Sequence, residues 1–437
     1  MTFSPKQFSN KKRPYTGLFL FYLFSTIILC QSNYKPVISS IQLIGNTRTQ
    51  DFILEREIHH NVNISLDSTM AIADRNRLEN LGIFSEVAWK VVPLEDGSAI
   101  LVFNVIESIQ RTPPVAFPTY SEDTEWSVVG LWIVNNFRGR NQSLAIGGSL
   151  GGEDTYGLSF SDPWMFGDHV SLSLNIGRTL YSHRFLDKDL DVNSIYINLG
   201  KWFGSSIKTS VGLEIESKSF SDQFIKDDFF YLSPTASLKY DTRDIFWNPS
   251  KGILFSQSIY HRQGINPKNW KITLWTQSYS WFYKVNNEGK KLILAVNGSL
   301  NRKIGNKDEY WLDYFGNSMT VRGWALPDSK LYYSGKEAFR FGHESVHGSV
   351  ELRQEVIPKH ATSLGAELGL LVTLFTDVGM ISNDWSDIND QLPIYGIGAG
   401  IRIPFPMVGV IRLDYGWGYR DGVWNSGSLH WGIGQKF

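Results

Sequence analysis

Apolar and polar residues alternate one by one in many short segments between Val115 and Phe437, and a period of two is the strand period. In segment 170–176, valine, leucine and isoleucine alternate with serine and asparagine. In segment 411–419, large apolar and aromatic residues alternate with arginine, aspartate and glycine. A soluble sandwich alternates too, but here scarcely any helical pattern is present to cover the edges of so many strands. Closure of one sheet into a barrel removes those edges, so the pattern favours a barrel with an apolar exterior and a polar lumen.

Sixteen strands are predicted from this pattern, an even number of the kind that bacterial outer-membrane barrels have. They are expected near 115–120, 125–136, 143–151, 155–163, 169–180, 191–203, 206–220, 229–241, 252–263, 270–284, 291–303, 348–357, 364–376, 393–404, 409–420 and 428–437. Short connections fall on one side of the barrel, and the long connection 304–347 falls on the other. The predicted fold class is mostly β: a 16-stranded antiparallel transmembrane β-barrel over residues 115–437, preceded by one small α+β domain.

The composition agrees with a lipid-facing barrel and excludes other classes. Aromatic residues make up 14% of the chain, with 15 Trp and 39 Gly, yet the mean hydropathy is only −0.18. Aromatic girdles and an apolar exterior account for the many aromatic residues, while a polar lumen lowers the mean hydropathy of the whole chain. The net charge of −1 offers no basic excess for nucleic acid. No run of about 18 apolar residues follows residue 30, which excludes helical membrane spans from the remainder.

Residues 1–32 are predicted to be a signal peptide. Lysines and an arginine precede the apolar run Leu18–Leu29, which is too short to span a bilayer. Cleavage is expected after Ser32. The alternative is that Cys30, the only cysteine, is a lipoprotein cysteine.

Residues 35–110 are predicted to form a small β-α-α-β-β domain. A first strand ends at Gly45-Asn46, helices follow over 51–59 and from Ser68 onward, and a hairpin turn at 95–98 joins two later strands. The segment resembles a polypeptide-transport-associated (POTRA) domain in Ile41–Asn46, in Leu78–Val87 and in Val102–Glu107. The resemblance implies a periplasmic domain, with a stiff linker at 111–114.

The barrel resembles the outer-membrane protein assembly factor superfamily, the BamA-like bacterial surface antigen barrels. The resemblance is carried by an ordered series of motifs in this sequence: Val321-Arg322-Gly323-Trp324, Phe375-Thr376-Asp377-Val378-Gly379, Asp241-Thr242-Arg243-Asp244 with Pro249 and Gly252, the turns 135–140 and 161–164, Gly398–Ile403, and Ile433–Phe437. Trp324 departs from the phenylalanine or tyrosine that the family carries at that position.

The resemblance implies that the long loop folds back into the lumen, where its arginine pairs with an acid of the barrel wall. A buried guanidinium needs a carboxylate partner to offset its desolvation. Strand alternation puts Glu367 and Asp377 on one face, which we expect to be the lumen. We therefore predict a contact between Arg322 and Asp377, and lumenal side chains at Glu351, Arg353 and Glu355. The alternative is that Arg322 is an exposed loop residue.

The chain's end resembles the C-terminal signal by which barrels are recognised for insertion. Its residues are Trp431, Ile433 and Phe437, and the alternative is an ordinary lipid-facing strand end. Pro118 in the first strand removes a ladder donor, and Gly432 and Gly434 loosen the last strand. The hypothesis is that the seam between these strands opens and pairs with a client strand by β-augmentation.

One pattern favours an enzyme. His343-Glu344-Ser345-Val346-His347 fits the His-Glu-x-x-His pattern of zinc proteases, which requires a helix. Here an alternating strand follows at once, so we predict neither metal, nor cofactor, nor enzymatic activity.

The predicted function is assembly of outer-membrane proteins or translocation of polypeptides, by resemblance to the superfamily. The expected location is the bacterial outer membrane, with the POTRA-like domain in the periplasm. Expected partners are membrane lipids, unfolded outer-membrane or secreted clients, and periplasmic chaperones or accessory lipoproteins. The alternatives are a translocator dedicated to one client and a passive channel or adhesin.

Overall fold

The structure, a computed structural model, describes residues 35–111, 114–121, 124–286, 288–362, 366–405 and 409–437. The predicted signal peptide, part of the predicted linker and part of the turn after residue 404 lie outside the described residues.

The N-terminal domain has the predicted order of elements. These are β1 (Ile38–Ile44), α1 (Asp51–Glu55), α2 (Ser68–Asn80), β2 (Phe84–Pro93) and β3 (Ala99–Glu107). β3 is the central strand, parallel to β1 and antiparallel to β2. The two helices pack on one face of this sheet around a core of aliphatic residues and two phenylalanines.

The two helices begin and end where specific side chains fix the backbone. The carboxylate of Asp67 accepts hydrogen bonds from the N–H groups of Thr69 and Met70, which caps α2 and starts it at Ser68, as predicted. α1 is shorter than the predicted helix over 51–59. The carboxylate of Asp74 accepts from the N–H groups of His59 and His60 at 3.0 Å each, which holds this part of the chain outside the helix.

The remaining chain forms one antiparallel barrel of sixteen long strands, which confirms the predicted fold class. They are β4 (Val115–Ser121), β5 (Glu125–Phe137), β6 (Gln142–Gly151), β7 (Glu153–Asp162), β8 (Val170–Ser182), β9 (Asp189–Phe203), β10 (Ile207–Ser221), β11 (Lys226–Asp241), β12 (Lys251–Asn266), β13 (Lys271–Lys284), β14 (Leu292–Gly305), β17 (Glu344–Ala361), β18 (Glu367–Ser382), β19 (Ile394–Phe405), β20 (Gly409–Arg420) and β22 (Ser428–Ile433). Three two-residue strands are β15 (Asp313–Tyr314), β16 (Phe341–Gly342) and β21 (Val423–Trp424). Among the described residues, no helix has the length and apolar character needed to cross a membrane.

The barrel wall is shortest where its first and last strands meet. The strand order places β22 beside β4. β22 pairs with β20 over six residues, and β4 pairs with β5 over seven. β10 and β11, by contrast, pair over fifteen. Within the described residues no register joins β22 to β4, so the barrel is not closed by a continuous ladder at this seam.

The N-terminal domain contacts one end of the barrel, which we name the near end; the opposite end is the far end. The backbone N–H of Gln50 donates to the carbonyl of Gly139 in the β5–β6 turn at 3.0 Å. The indole Nε1 of Trp247, in the β11–β12 turn, donates to Glu79 of α2 at 3.1 Å. Arg56 also lies over the ring of Trp164 in the β7–β8 turn, 4.1 Å from the ring centroid, so the domain reaches several parts of the barrel rim.

The long connection between β14 and β17 starts at the far end, as predicted. It contains α3 (Ser329–Ser334) and single 3-10 turns at Glu309–Trp311 and Ala338–Arg340. Its aromatic residues pack with those of the far ends of β9–β13, and Trp270 and Trp311 lie 4.9 Å apart between ring centroids. This packing anchors the loop above the lumen, and its middle part descends into the barrel.

The last strand ends four residues before the predicted boundary of 437. β22 stops at Ile433 because Gly434 has a left-handed φ of 84° and turns the chain into the lumen.

Candidate functional site

Three carboxylates converge in the lumen because alternation points them inward from neighbouring strands. Glu351 lies on β17, Asp377 on β18 and Asp414 on β20, and all three are almost completely buried. Residues adjacent to them in sequence, such as Val350 and Val378, face outward. Carboxylates in such a place require cationic or hydrogen-bonding partners.

Arg322 supplies the central partner. Its Nε and Nη2 donate to the two oxygens of Asp377 at 2.8 and 2.9 Å, and its backbone N–H donates to the same carboxylate at 3.0 Å. Its Nη1 donates to Glu351 at 2.7 Å and to Asp414 at 3.0 Å. The predicted contact between Arg322 and Asp377 is therefore formed, and Arg322 is fully buried rather than an exposed loop residue.

The loop motif fits closely between the walls on either side of Arg322. Gly323 has φ 89°, and a Cβ there would lie 2.6 Å from the backbone carbon of Trp417. Its N–H donates to His430 at 2.8 Å. Trp324 donates its indole N–H to the carbonyl of Tyr395 at 2.9 Å. Val321 is fully buried.

The β18 motif contributes three features: a ring on which Arg322 stacks, a carboxylate, and a glycine whose missing side chain leaves room for the loop. The guanidinium of Arg322 lies over the ring of Phe375, and its Cζ is 3.6 Å from the ring centroid. This is a cation–π geometry. Gly379 leaves room for the loop, since a Cβ there would lie 2.5 Å from Phe315 and 2.8 Å from Val321. The spacing Phe-x-Asp-x-Gly thus places three complementary groups on one face of one strand.

Further cations complete a group that we name the lumenal charge cluster. It consists of Arg322, Arg353, Arg402, Arg412, Lys436, Glu351, Asp377 and Asp414. Arg353 donates to Glu351 at 2.8 Å, and Arg402 donates to Asp414 at 2.5 Å. The predicted lumenal positions of Glu351, Arg353 and Glu355 agree with their burial.

Glu367 is not part of this cluster, which corrects its predicted role as a wall partner. It shares the lumenal face of β18 with Asp377, but it lies ten positions earlier in the strand, at the near end. There its carboxylate lies 3.6 Å from Lys359 Nζ. Each strand residue advances about 3.3 Å, so Arg322 cannot reach it.

The strand-turn motif lies at the near end, beneath the N-terminal domain. Arg243 forms a two-pronged contact with Asp241 at 2.9 and 2.7 Å. Asp244 accepts from the N–H of Ser250 at 2.9 Å, and Pro249 is buried beside it. Gly252 has φ 107°, where a Cβ would lie 2.3 Å from the carbonyl of Thr242. The motif therefore shapes a turn that contacts the domain through Trp247.

The residues of the predicted C-terminal signal divide between two places. Trp431 and Ile433 lie on β22, and Ile433 is exposed on the outer face. Phe437 lies inside the barrel, where Arg353 is 5.0 Å from its ring centroid. The recognition role of these residues stays a prediction.

The His-Glu-x-x-His segment lies on and just before β17 and contains no helix. Glu344 pairs with Arg302 and Lys307 at 2.7 and 2.8 Å, and His343 contacts the carbonyl of Asp308 at 3.0 Å. No group of three or more His, Cys, Asp or Glu suited to a metal ion occurs in the described part of the chain.

Sequence reasoning missed Asp414, Arg402, Arg412 and Lys436 as members of the cluster. The signal for the first three is charge at alternating positions of otherwise apolar strands. Gly396 was also missed. A Cβ there would lie 1.9 Å from the carbonyl oxygen of Arg322, so only glycine lets the loop sit this close to β19.

A cavity of about 720 Å³ occupies the part of the lumen beside the seam. Small polar residues and glycines of β4–β9 line it, together with Met319 of the loop and Gly432 of β22. The lumen therefore has two parts: one filled by the lumenal charge cluster and the loop, and one open beside the first and last strands.

Comparison with known proteins agrees with this architecture. The sequence profile of the Omp85 superfamily domain matches residues 136–437, and that of POTRA, a surface antigen variable number repeat, matches residues 36–108. The chain is 26% identical over 144 residues to the outer membrane protein assembly factor BamA of Neisseria meningitidis serogroup B. That match covers 32% of the chain and only 18% of the relative.

Solved structures share the fold at low sequence identity. BamA from Haemophilus ducreyi lacking POTRA domains 1–3 has a TM-score of 0.55 at 16% identity, with 91% of this chain and 83% of the other covered. CdiB from Escherichia coli has a TM-score of 0.55 at 10% identity, covering 97% and 92%. CdiB from Acinetobacter baumannii has a TM-score of 0.52 at 16% identity, covering 91% and 73%.

Proposed function

Since the chain belongs to the Omp85 superfamily, we propose that it assembles outer-membrane proteins into the bilayer or moves polypeptides across it. The observation that carries the proposal is the seam. Two short strands meet there without a register among the described residues, beside a cavity of about 720 Å³. When two short neighbouring strands separate, each offers an edge that can pair with an incoming extended segment by β-augmentation.

The lumenal charge cluster supports this function by fixing the loop. Contacts from Arg322 to three strands keep the loop seated on the β17–β20 side of the lumen. The side near β4–β9 stays open for a client. The proposal requires no catalytic chemistry, because strand exchange uses only hydrogen bonds and burial.

The proposed location is the outer membrane, with the N-terminal domain in the periplasm. The outward-facing apolar residues of the barrel suit lipid, and the polar lumen suits water. Proposed partners are membrane lipids and unfolded outer-membrane or secreted polypeptides, with periplasmic chaperones or accessory lipoproteins as further candidates.

Reconstitution in liposomes tests the proposal. Purified protein is placed in liposomes, a urea-unfolded outer-membrane barrel protein is added, and its protease-resistant folded form is followed over time. We expect faster folding than in protein-free liposomes. Arg322→Ala is expected to reduce the acceleration, since it unseats the loop.

The matched control is Arg302→Ala, which removes an arginine paired with Glu344 at the far end. We expect this variant to retain the acceleration. Ion conductance without any acceleration of client folding would contradict the proposal and indicate a passive channel.

A further inference from the structure

Residues 434–437 leave the barrel wall and enter the lumen. The N–H of Gly434 still donates to the carbonyl of Val410 at 2.7 Å, which continues the β20–β22 ladder by one step. Its left-handed φ of 84° then redirects the chain, a conformation that glycine adopts without strain. We name residues 434–437 the inner tail.

The inner tail crosses the lumen toward the strands opposite the seam. Gln435 donates from Nε2 to the carbonyl of Trp247 in the β11–β12 turn at 3.2 Å. The ring of Phe437 lies 6.3 Å from that of Phe282 on β13. The inner tail therefore extends from the last strand across the lumen to β13, in the wall opposite the seam.

Lys436 provides the strongest contact of the inner tail. Its Nζ lies 2.9 Å from Asp377 Oδ2 and also donates to the carbonyl of Thr320. The side chain is almost fully buried, and a buried ammonium group is costly without such partners. Asp377 is also the carboxylate to which Arg322 donates hydrogen bonds.

We propose that Lys436 is a positioning residue that holds the end of the last strand inside the lumen through Asp377. One carboxylate then fixes both the lumenal loop and the strand that borders the seam. Movement of the loop and release of the inner tail are coupled through it. The relevance of this coupling to clients rests on the proposed function, whereas the tether itself does not.

Packing of Phe437 against Phe282 and Arg353 could hold the inner tail without the ion pair. The two explanations differ in what removal of the charge does. If packing suffices, loss of the ammonium group leaves the tail in place. If Lys436 is the tether, the tail swings out of the lumen.

Photo-crosslinking of the full-length protein in lipid tests the tether. p-Benzoylphenylalanine replaces Phe437, and mass spectrometry measures the yield of crosslinks to peptides that contain Phe282 or Arg353. With Lys436→Met we expect the yield to fall about tenfold, as for the loss of one hydrogen bond between charged groups. Lys436→Arg, which keeps the charge, is expected to retain most of the crosslinks.

The matched control is Lys188→Met, which removes a lysine paired with Asp222 at the far end, away from the inner tail. It is expected to leave the yield unchanged. An unchanged yield in Lys436→Met would overturn the proposal. Heat-dependent electrophoretic mobility verifies that each barrel is folded, and Lys436→Gln replaces the methionine variant if that one does not fold.

Conductance in planar bilayers gives a second, independent measurement. Since the inner tail lies across the lumen, its release is expected to raise the open conductance of Lys436→Met but not that of Lys188→Met. Equal conductance of both variants would count against the proposal. Neither measurement uses a client, so failure of the tether is distinguishable from failure of the proposed function.

Discussion

At the scale of single residues, the chemistry of Arg322 explains why the loop motif contains arginine. Its planar guanidinium reaches three carboxylates on three strands while its face stacks on Phe375. A lysine has one compact ammonium group, so it could not make the two-pronged contact with Asp377 and the stacking contact together.

Removal of Arg322 is expected to be costly. Arg322→Ala leaves Glu351, Asp377 and Asp414 with fewer partners in a buried site, and breaking such a network typically costs about 3–5 kcal/mol. Arg302→Ala removes a partly exposed arginine and leaves the buried Glu344 paired with Lys307, so it is expected to cost about 0–1 kcal/mol. Unfolding in denaturant, followed by tryptophan fluorescence, compares the two; equal costs would contradict the central place of Arg322.

At the scale of elements, alternation sufficed to predict sixteen strands. It also placed Asp377, Glu351 and Arg353 in the lumen. It could not predict which carboxylates share Arg322, because that depends on how adjacent strands are staggered. The turn at Gly434 was missed for a related reason: a distant carboxylate, Asp377, holds Lys436 where local pattern predicted continued strand.

The close approach of the loop to β19 gives a prediction for Gly396. Gly396→Ala places a Cβ where the carbonyl oxygen of Arg322 now lies, only 1.9 Å away, so loop or strand must move. We expect faster proteolysis within residues 306–340. Gly298→Ala on β14 is the control, since its Cβ would meet nothing within 4 Å; cleavage at equal rates would show that the loop does not depend on this contact.

The N-terminal domain contains a carboxylate whose ionisation supports its contact with the barrel. Glu107 accepts hydrogen bonds from the N–H and hydroxyl of Thr49 at 2.7 Å each and from the N–H of Arg48 at 3.0 Å. Burial acts to raise the pKa of Glu107, but these hydrogen bonds outweigh burial and lower it below the ordinary value of 4.5. The segment that they hold contacts Gly139 of the barrel through Gln50.

Because the pKa of Glu107 is lowered in the folded protein, the direction in which stability changes with pH can be predicted. The stability that Glu107 contributes is fully present above pH 4.5 and is lost as the pH falls through the lowered pKa. Glu107→Gln is therefore expected to be less stable than the unsubstituted protein at neutral pH and similar to it in acid. Thermal unfolding at several pH values measures this difference, and a difference that does not change with pH would contradict the role of the charge.

At the scale of the whole molecule, the domain and the barrel are joined at several places on the near rim. Gln50 contacts the β5–β6 turn, while Glu79 and Asn80 contact the β11–β12 turn through Trp247 and Phe246. The cavity beside the seam occupies the β4–β9 side of the lumen, whereas the lumenal charge cluster fills the β17–β20 side and reaches the last strand through Arg412 and Lys436. The molecule thus combines a side filled by buried ion pairs with a side that encloses a cavity.

Crosslinking across the seam is expected to block function. A disulfide between residues 117 and 433, introduced as Phe117→Cys and Ile433→Cys, prevents β4 and β22 from separating. Val350→Cys with Thr376→Cys is the control, because those residues already face each other on β17 and β18. We expect oxidation to stop client folding only in the seam variant and reductant to restore it; full activity of the oxidised seam variant would exclude opening there.

Depletion of the protein from its cell, followed by quantitative mass spectrometry of outer-membrane proteins, tests the central claim most directly. Assembly by the seam predicts that many different barrel proteins decline together. Loss of one secreted or surface protein alone would instead indicate a dedicated translocator within the proposed function. An unchanged outer membrane, with ion conductance by the purified protein, would contradict the account.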